Sequence, residues 1–251
     1  MTAVVALTER QVRASVRNLD IVFAVLVPAL TFVGFTVGLR NVIDTGGISY
    51  PQYVLPAVVV QAMLFGALNT TDAAAHERAS EFGVRLRTFP ISVYAPMMAR
   101  MLYCLIRGAV ALIAAFAVAY PFGFRMDGGL AFGALFVVLS LTLTLALSFG
   151  AEATGTRAKR SDTSSQLLLI PQLLLVLLST GMAPVESFPT WVQPFVEYQP
   201  ISQITQTLRG FASGHVDGTN LAITLAWCAG LLLGLGYLAI KGHGRQRGRR
   251  G

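Results

Sequence analysis

Charge is what this chain has least of. Asp, Glu, Lys and Arg make up 12% of its 251 residues, against 54% hydrophobic. Its few carboxylates avoid the hydrophobic runs: Asp20, Asp72 and Glu152 each stand where such a run ends. A proton-coupled carrier is expected to keep a carboxylate at membrane depth, so support for that class weakens. Cysteine is nearly missing too. Cys104 and Cys228 both fall in or at the edge of hydrophobic segments, where a disulfide framework or a metal cluster is not expected. The three histidines are scattered at 76, 215 and 243, and neither an H-E-x-x-H motif nor a serine, histidine and acid set is present. A Walker A loop is also lacking. The nearest stretch, "GTRAKRS", has neither the second glycine nor the Gly-Lys pair that cradles phosphates. The chain is therefore not expected to be an enzyme, to hold a metal or to bind ATP itself. The opening "MTAVVALTERQVRASVRNLD" has an apolar start too short for a cleavable signal and is followed by arginines.

What the chain has instead is hydrophobic length. Its mean hydropathy is +0.63, more apolar surface than a water-soluble domain carries. Windows free of charge run over Ile21 to Leu39, Thr45 to Thr71, Gly108 to Phe124, Gly128 to Ala151, Thr163 to Val185 and Gly218 to Ile240. A helix crossing hydrocarbon needs about 20 residues, so six spans are expected, at about 21–39, 52–71, 98–121, 129–151, 163–183 and 219–240. The fifth holds eight leucines with Ile170 and Val176. At roughly 0.3 to 0.6 kcal/mol each they favour insertion by about 3 to 6 kcal/mol. The fourth alternates like a strand, "LSLTLTLALSFG", yet a lone strand in lipid leaves its amides unpaired, and helix prevails. The predicted fold class is all-α integral membrane.

The basic residues set the expected orientation. Six spans bring both termini to one side, and fifteen of the nineteen Lys and Arg residues fall there, including Arg10, Arg13, Arg17, Arg100, Lys159 and the tail 241–251. That side is expected to be cytoplasmic. Because the cations follow membrane loops and form no separable basic domain, nucleic acid is not an expected partner, whereas membrane lipid is. In residues 1–19, Val5, Val12, Val16 and Leu19 share one helical face and Arg10, Arg13 and Arg17 another, the pattern of an interfacial helix.

Polar groups inside the spans are the first functional candidates. Arg107 is the one intramembrane charge, seven residues from Arg100 on the same face and expected to snorkel or to be structurally paired, with a substrate contact as the alternative. Gln61, Asn69 and Thr70 in span two, with Gln166, Gln172, Ser179 and Thr180 in span five, either line a path or hydrogen-bond between helices at roughly 1 kcal/mol each. Outside, the long connection from Glu186 to Asp217 is expected to form two short helices, begun by Pro189 and Pro200 and ended by Gly210 and Gly214. Trp191, Phe195 and Tyr198 would place them at headgroup level.

Between spans two and three lies "HERASEFGVRLRTFPIS", from His76 to Ser92. Glu77, Glu81 and Arg85 stand at i, i+4 spacing, while Phe82, Leu86 and Phe89 make an apolar stripe that Pro90 closes. Such a stripe, with no membrane depth to enter, suits helix-in-groove docking to a soluble partner.

The interfacial helix, the six spans, "ER" followed by a glycine and "RLRTFP" after span two, and "STGMAPVESFPTWVQPFVEYQPISQITQTLRGFASG" after span five together resemble the ABC-2 exporter permeases, particularly the daunorubicin-resistance type of actinobacteria. The resemblance covers essentially the whole chain. It implies a transmembrane subunit of the bacterial cytoplasmic (inner) membrane that pairs with itself or a sister permease and with two ABC ATP-binding subunits, which would bind the ATP and Mg. It further implies that Glu77, Arg78, Gly83, Arg85, Leu86, Phe89 and Pro90 form a coupling helix and that spans two and five line the path. Pro184, Phe188, Pro189, Trp191, Pro194, Phe195, Gln199, Pro200 and Arg209 would shape an outer gate. Amphiphilic drugs or lipids would be the cargo, moved by alternating access. An autonomous secondary carrier or channel, or a scaffold without transport activity, is the competing expectation.

Overall fold

Apolar windows of this length satisfy their backbone internally, and the chain accordingly folds as helices. The computed structural model describes residues 2–40, 47–80, 91–92, 94–155, 161–181 and 183–248, apart from the side chains at 78–79, 161–168 and 242–248. Among the described residues there are no strands. In chain order the helices are α1 (Thr2–Arg17), α2 (Asp20–Leu39), α3 (Tyr50–Ala79), α4 (Ala95–Ala119), α5 (Gly129–Gly155), α6 (Ser161–Leu177), α7 (Gln193–Tyr198), α8 (Pro200–Ser213) and α9 (Gly218–Gly248), with a 3₁₀ turn at Val185–Ser187.

Five of them are long and apolar enough to cross a membrane: Asp20–Leu39, Tyr50–Glu77, Ala95–Ala119, Gly129–Gly155 and Gly218–Lys241. The fifth predicted segment, 163–183, is shorter than expected, because α6 has 17 residues and stops at Leu177. Its continuation leaves the helix because other elements take its backbone groups. The Leu178 carbonyl accepts from Gln199 Nε2, the Thr180 amide donates to Ser202 Oγ at 3.0 Å and the Thr180 carbonyl accepts from the Tyr53 hydroxyl at 2.9 Å.

α3 is the axis of the bundle. Most of its residues are buried, among them Val54, Leu55, Val58, Val59, Val60 and Met63, as fits a helix that is hydrophobic on every side. It packs against α2, α4, α5, α6 and α8. The outer helices turn large apolar side chains away from the core: Leu30, Ile113, Leu130 and Leu233 are all more than half exposed, an arrangement that hydrocarbon accommodates and water does not.

Close approach is decided at a few glycines. A Cβ on Gly128 would lie 2.4 Å from the Phe211 carbonyl oxygen, and this proximity lets the Asp127 and Gly128 amides both donate to the Ala212 carbonyl. The α4–α5 turn is thereby tied to the end of α8. Two sequence expectations for this region are corrected. Pro189 does not open a helix; its carbonyl caps the turn before α7, and Pro194 takes the first-turn place. Gly210 lies inside α8, where its hydrogen replaces a Cβ that would stand 2.9 Å from the His215 carbonyl, and Gly214, at φ 78°, ends the helix.

Candidate functional site

Polar side chains collect at the two ends of α3, Asn69 and Tyr53 being about 24 Å apart at 1.5 Å of rise per residue. At the α1 end, the chain turns sharply from α1 into α2 at Leu19, whose φ of 62° a leucine adopts at a cost of about 1–2 kcal/mol. The next residue, Asp20, anchors the corner. Its carboxylate accepts from Asn69 Nδ2 at 2.8 Å, from Ser15 Oγ at 3.3 Å and from the Tyr103 hydroxyl, and it faces Arg107 Nε at 3.3 Å. Arg107 therefore pairs with Asp20 within the bundle. Thr70 bonds the Gly66 carbonyl and Cys104 Sγ at 3.0 and 2.9 Å, a contact between α3 and α4.

One turn away is an ion cluster that the sequence did not reveal. Arg100 on α4 donates through Nε and Nη2 to Glu152 at the end of α5, at 2.7 and 2.5 Å, and its Nη1 lies 2.8 Å from Glu77 Oε1 near the end of α3. Arg100 is 4% and Glu152 0% exposed. The fork of a guanidinium suits two carboxylates at once. Three helices are thereby pinned at one point, and α5 lies so close to α3 that a Cβ on Gly155 would sit 2.5 Å from the Thr71 carbonyl. Sequence alone treated Glu152 as the end marker of a span and paired Glu77 with its own helix; a buried partner 52 residues from Arg100 has no periodic signature.

Asp20, Asn69, Glu77, Arg100, Tyr103 and Arg107 help wall a cavity of about 760 Å³ bounded by α1, α3 and α4. A second space of about 370 Å³ adjoins it and is lined largely by apolar side chains of α2 and α3.

At the α8 end the centre is Arg209. Its guanidinium stacks 3.6 Å from the centroid of the Tyr53 ring and donates to the carbonyls of Tyr53 and Thr180, each at 2.9 Å, and of Gly181 at 3.4 Å. Burial pulls its pKa below the ordinary arginine value, opposed by the Tyr53 ring and hydroxyl. Ser179, Thr180, Gln199 and Arg209, drawn from two separate groups of candidates, are brought together here. Gln199 is buried and Trp191, Phe195 and Tyr198 face outward. Phe188 contributes its carbonyl to Gln193 Nε2 at 2.9 Å, and the Pro184 carbonyl accepts from Ser187. Pro200 opens α8. Gln61 is partly buried, with Oε1 lacking a partner among the described residues, and Gln172 is also partly buried. Gly83, Arg85, Leu86, Phe89 and Pro90 lie outside the described residues, as do the side chains of Arg78 and Gln166.

A family model described as "ABC-2 type transporter" matches residues 2–211. The chain is 25% identical over 236 residues to the "Probable doxorubicin resistance ABC transporter permease protein DrrC" of Mycobacterium tuberculosis, covering 90% of this chain and 84% of that protein. It is 31% identical over 176 residues to the "Doxorubicin resistance ABC transporter permease protein DrrB" of the same organism, covering 70% and 60%. It is also 26% identical over 211 residues to the "Daunorubicin resistance ABC transporter permease protein DrrB1" of Streptomyces coeruleorubidus, covering 83% and 74%.

Proposed function

The chain belongs to the ABC-2 type transporter family, and from that premise we propose that it is the permease subunit of an ATP-driven exporter of amphiphilic molecules, partnered by a separate ATP-binding subunit and a second permease copy. The observation that carries this reading is similarity along nearly the whole chain to permeases of drug-resistance ABC transporters, in a bundle with five helices long and apolar enough to span. α6, with the turn that follows it, supplies the sixth span. The end holding α1 and the close of α3 faces the cytoplasm, where most of the basic residues lie.

Alternating access gives the two ends of α3 their roles. The segment after Glu77 grips the ATP-binding subunit, and Arg100 ties the helices entering and leaving it to α5. At the far end, Arg209 bonds carbonyls of α3 and of the turn after α6, so opening that end requires its release. ATP binding and substrate must favour the outward state by differential affinity.

Co-purification tests the proposal. The tagged chain is expected to bring down an ATP-binding subunit, and Leu86→Asp with Phe89→Asp is expected to abolish that association and ATP-dependent transport in reconstituted vesicles while leaving membrane insertion intact. Substrate movement by the chain alone, with no ATPase attached, would establish an autonomous carrier instead.

A further inference from the structure

Along its own length α6 has little hold on the rest of the chain. Ile170, Leu173, Leu174 and Leu177 are all more than half exposed, and among the described residues the helix packs mainly on α3, with a lighter contact to α5. Pro171 lies inside it, six residues before its last residue, Leu177. Proline has no amide to donate to the preceding turn, so a helix bends there more readily than elsewhere.

The turn after Leu177 is held quite differently, and the hold converges on Thr180. Its amide donates to Ser202 Oγ at 3.0 Å, its carbonyl accepts from the Tyr53 hydroxyl and from Arg209 Nη2, each at 2.9 Å, and its hydroxyl lies 3.5 Å from Gln206 Nε2. All three polar groups of this one residue are thus taken by other elements. Ser202, Gln206 and Arg209 stand at i, i+4 and i+7 on α8, a single helical face. Tyr53 completes the grip from α3, and the next residue, Gly181, lets the turn lie so near that helix that a Cβ on it would stand 2.9 Å from Ala57 Cβ.

α8 is fixed from its other sides. Its Ala212 carbonyl accepts the Asp127 and Gly128 amides, its Thr207 and Gln203 bond Thr224 and Asn220 of α9, and its Ile204 and Leu208 are wholly buried. A load that parts α6 from α8 therefore meets a packed core and main-chain bonds on one side. On the other it meets a few side-chain bonds to a single residue, and these yield first.

We propose that Thr180 is the positioning residue that latches α6 to the α3–α8 pair, and that this end of the bundle opens by α6 and its turn swinging about Pro171 while α8 stays in place. That the opening serves transport rests on the exporter function proposed above; the latch does not.

The first arm of the test is hydrogen exchange, followed by mass spectrometry, on the purified full chain in detergent. Tyr53→Phe removes one hydroxyl from the latch and leaves the Thr180 amide its Ser202 acceptor. It is expected to speed exchange of residues 178–181 by about three- to ten-fold, the effect of one bond on a local opening, with 207–212 exchanging as in wild type. Thr205→Val, which removes a buried hydroxyl of α8 bonded only within that helix, to the Ile201 carbonyl, is expected to leave 178–181 unchanged. No acceleration at 178–181 in Tyr53→Phe, an equal acceleration at 207–212, or the same effect from Thr205→Val overturns the latch. The second arm adds the partner ATPase and an ATP analogue that is not hydrolysed. Exchange is expected to rise at 178–181 and not at 207–212; no rise, in a preparation whose vesicles carry out ATP-driven transport, overturns the proposal. A first arm as expected, with no ATP-driven transport in vesicles, refutes the exporter function and leaves the latch standing.

Discussion

Replacing Arg100 by alanine would leave two carboxylates facing each other at the base of α3 and α5. Glu152 has no exposure at all, and the Glu77 side chain is only 20% exposed. Loss of one partner from a buried pair destabilises by about 3–5 kcal/mol, since the surviving charge keeps its desolvation penalty and loses its attraction. The upper part of that range applies, because the lost fork made two bonds to one carboxylate and a third contact to another. For a chain of this size 1 kcal/mol corresponds to about 2–4 °C of melting temperature, so about 4–5 kcal/mol gives an expected fall of about 8–20 °C. Thermal unfolding of the detergent-purified chain, followed by size-exclusion fluorescence, measures it. The second arm is Arg100→Met with Glu152→Met, in which no buried charge is left at the α4–α5 contact; apolar replacement of a whole pair is often neutral, so most of the loss should be recovered. An Arg100→Ala protein melting within 2 °C of wild type, or a double variant no better than the single, would refute the view that burial gives this cluster its weight.

Arg209→Lys should lower stability by about 2–3 kcal/mol despite keeping the charge, because an ammonium lacks the planar fork that here reaches three carbonyls while stacking on Tyr53; the melting temperature, compared with Arg209→Ala, checks it. Gly128→Ala should cost about 1–3 kcal/mol, the added Cβ meeting the Phe211 carbonyl at 2.4 Å and forcing the α4–α5 turn off α8. Limited proteolysis at that turn should accelerate with it. Asp20→Ala should strand Arg107 and release the α1–α2 corner from Asn69 and Tyr103, at about 3 kcal/mol, with Asp20→Asn intermediate in a thermal scan.

Legibility in the sequence differed sharply between features. Pro200 and Gly214 mark the start and end of α8 because each constrains φ at its own residue, which is local chemistry. Pro189 and Gly210 carry the same letters and do neither job: one lies in a turn, the other packs on the loop after Gly214, and only the neighbours decide which. Arg107 was recognisable as an intramembrane charge, but its partner Asp20 looked like a span boundary. Asp72 and Glu152 likewise stand in the sequence only as the ends of apolar runs, although one helps line a cavity and the other is fully buried.

Segment length and apolar content by themselves determined that this chain is helical and membrane-borne, since hydrocarbon offers backbone amides no partner and a run of about 20 apolar residues has one way to satisfy them. The ABC-2 character was legible as well, carried by local motifs. The tertiary structure alone decided where the arginines find their partners: Arg100 with Glu152, Arg209 with the Thr180 carbonyl, Arg107 with Asp20. Those pairings span from 29 to 87 positions and arise from how helix faces dock, a property that no spacing within one helix encodes.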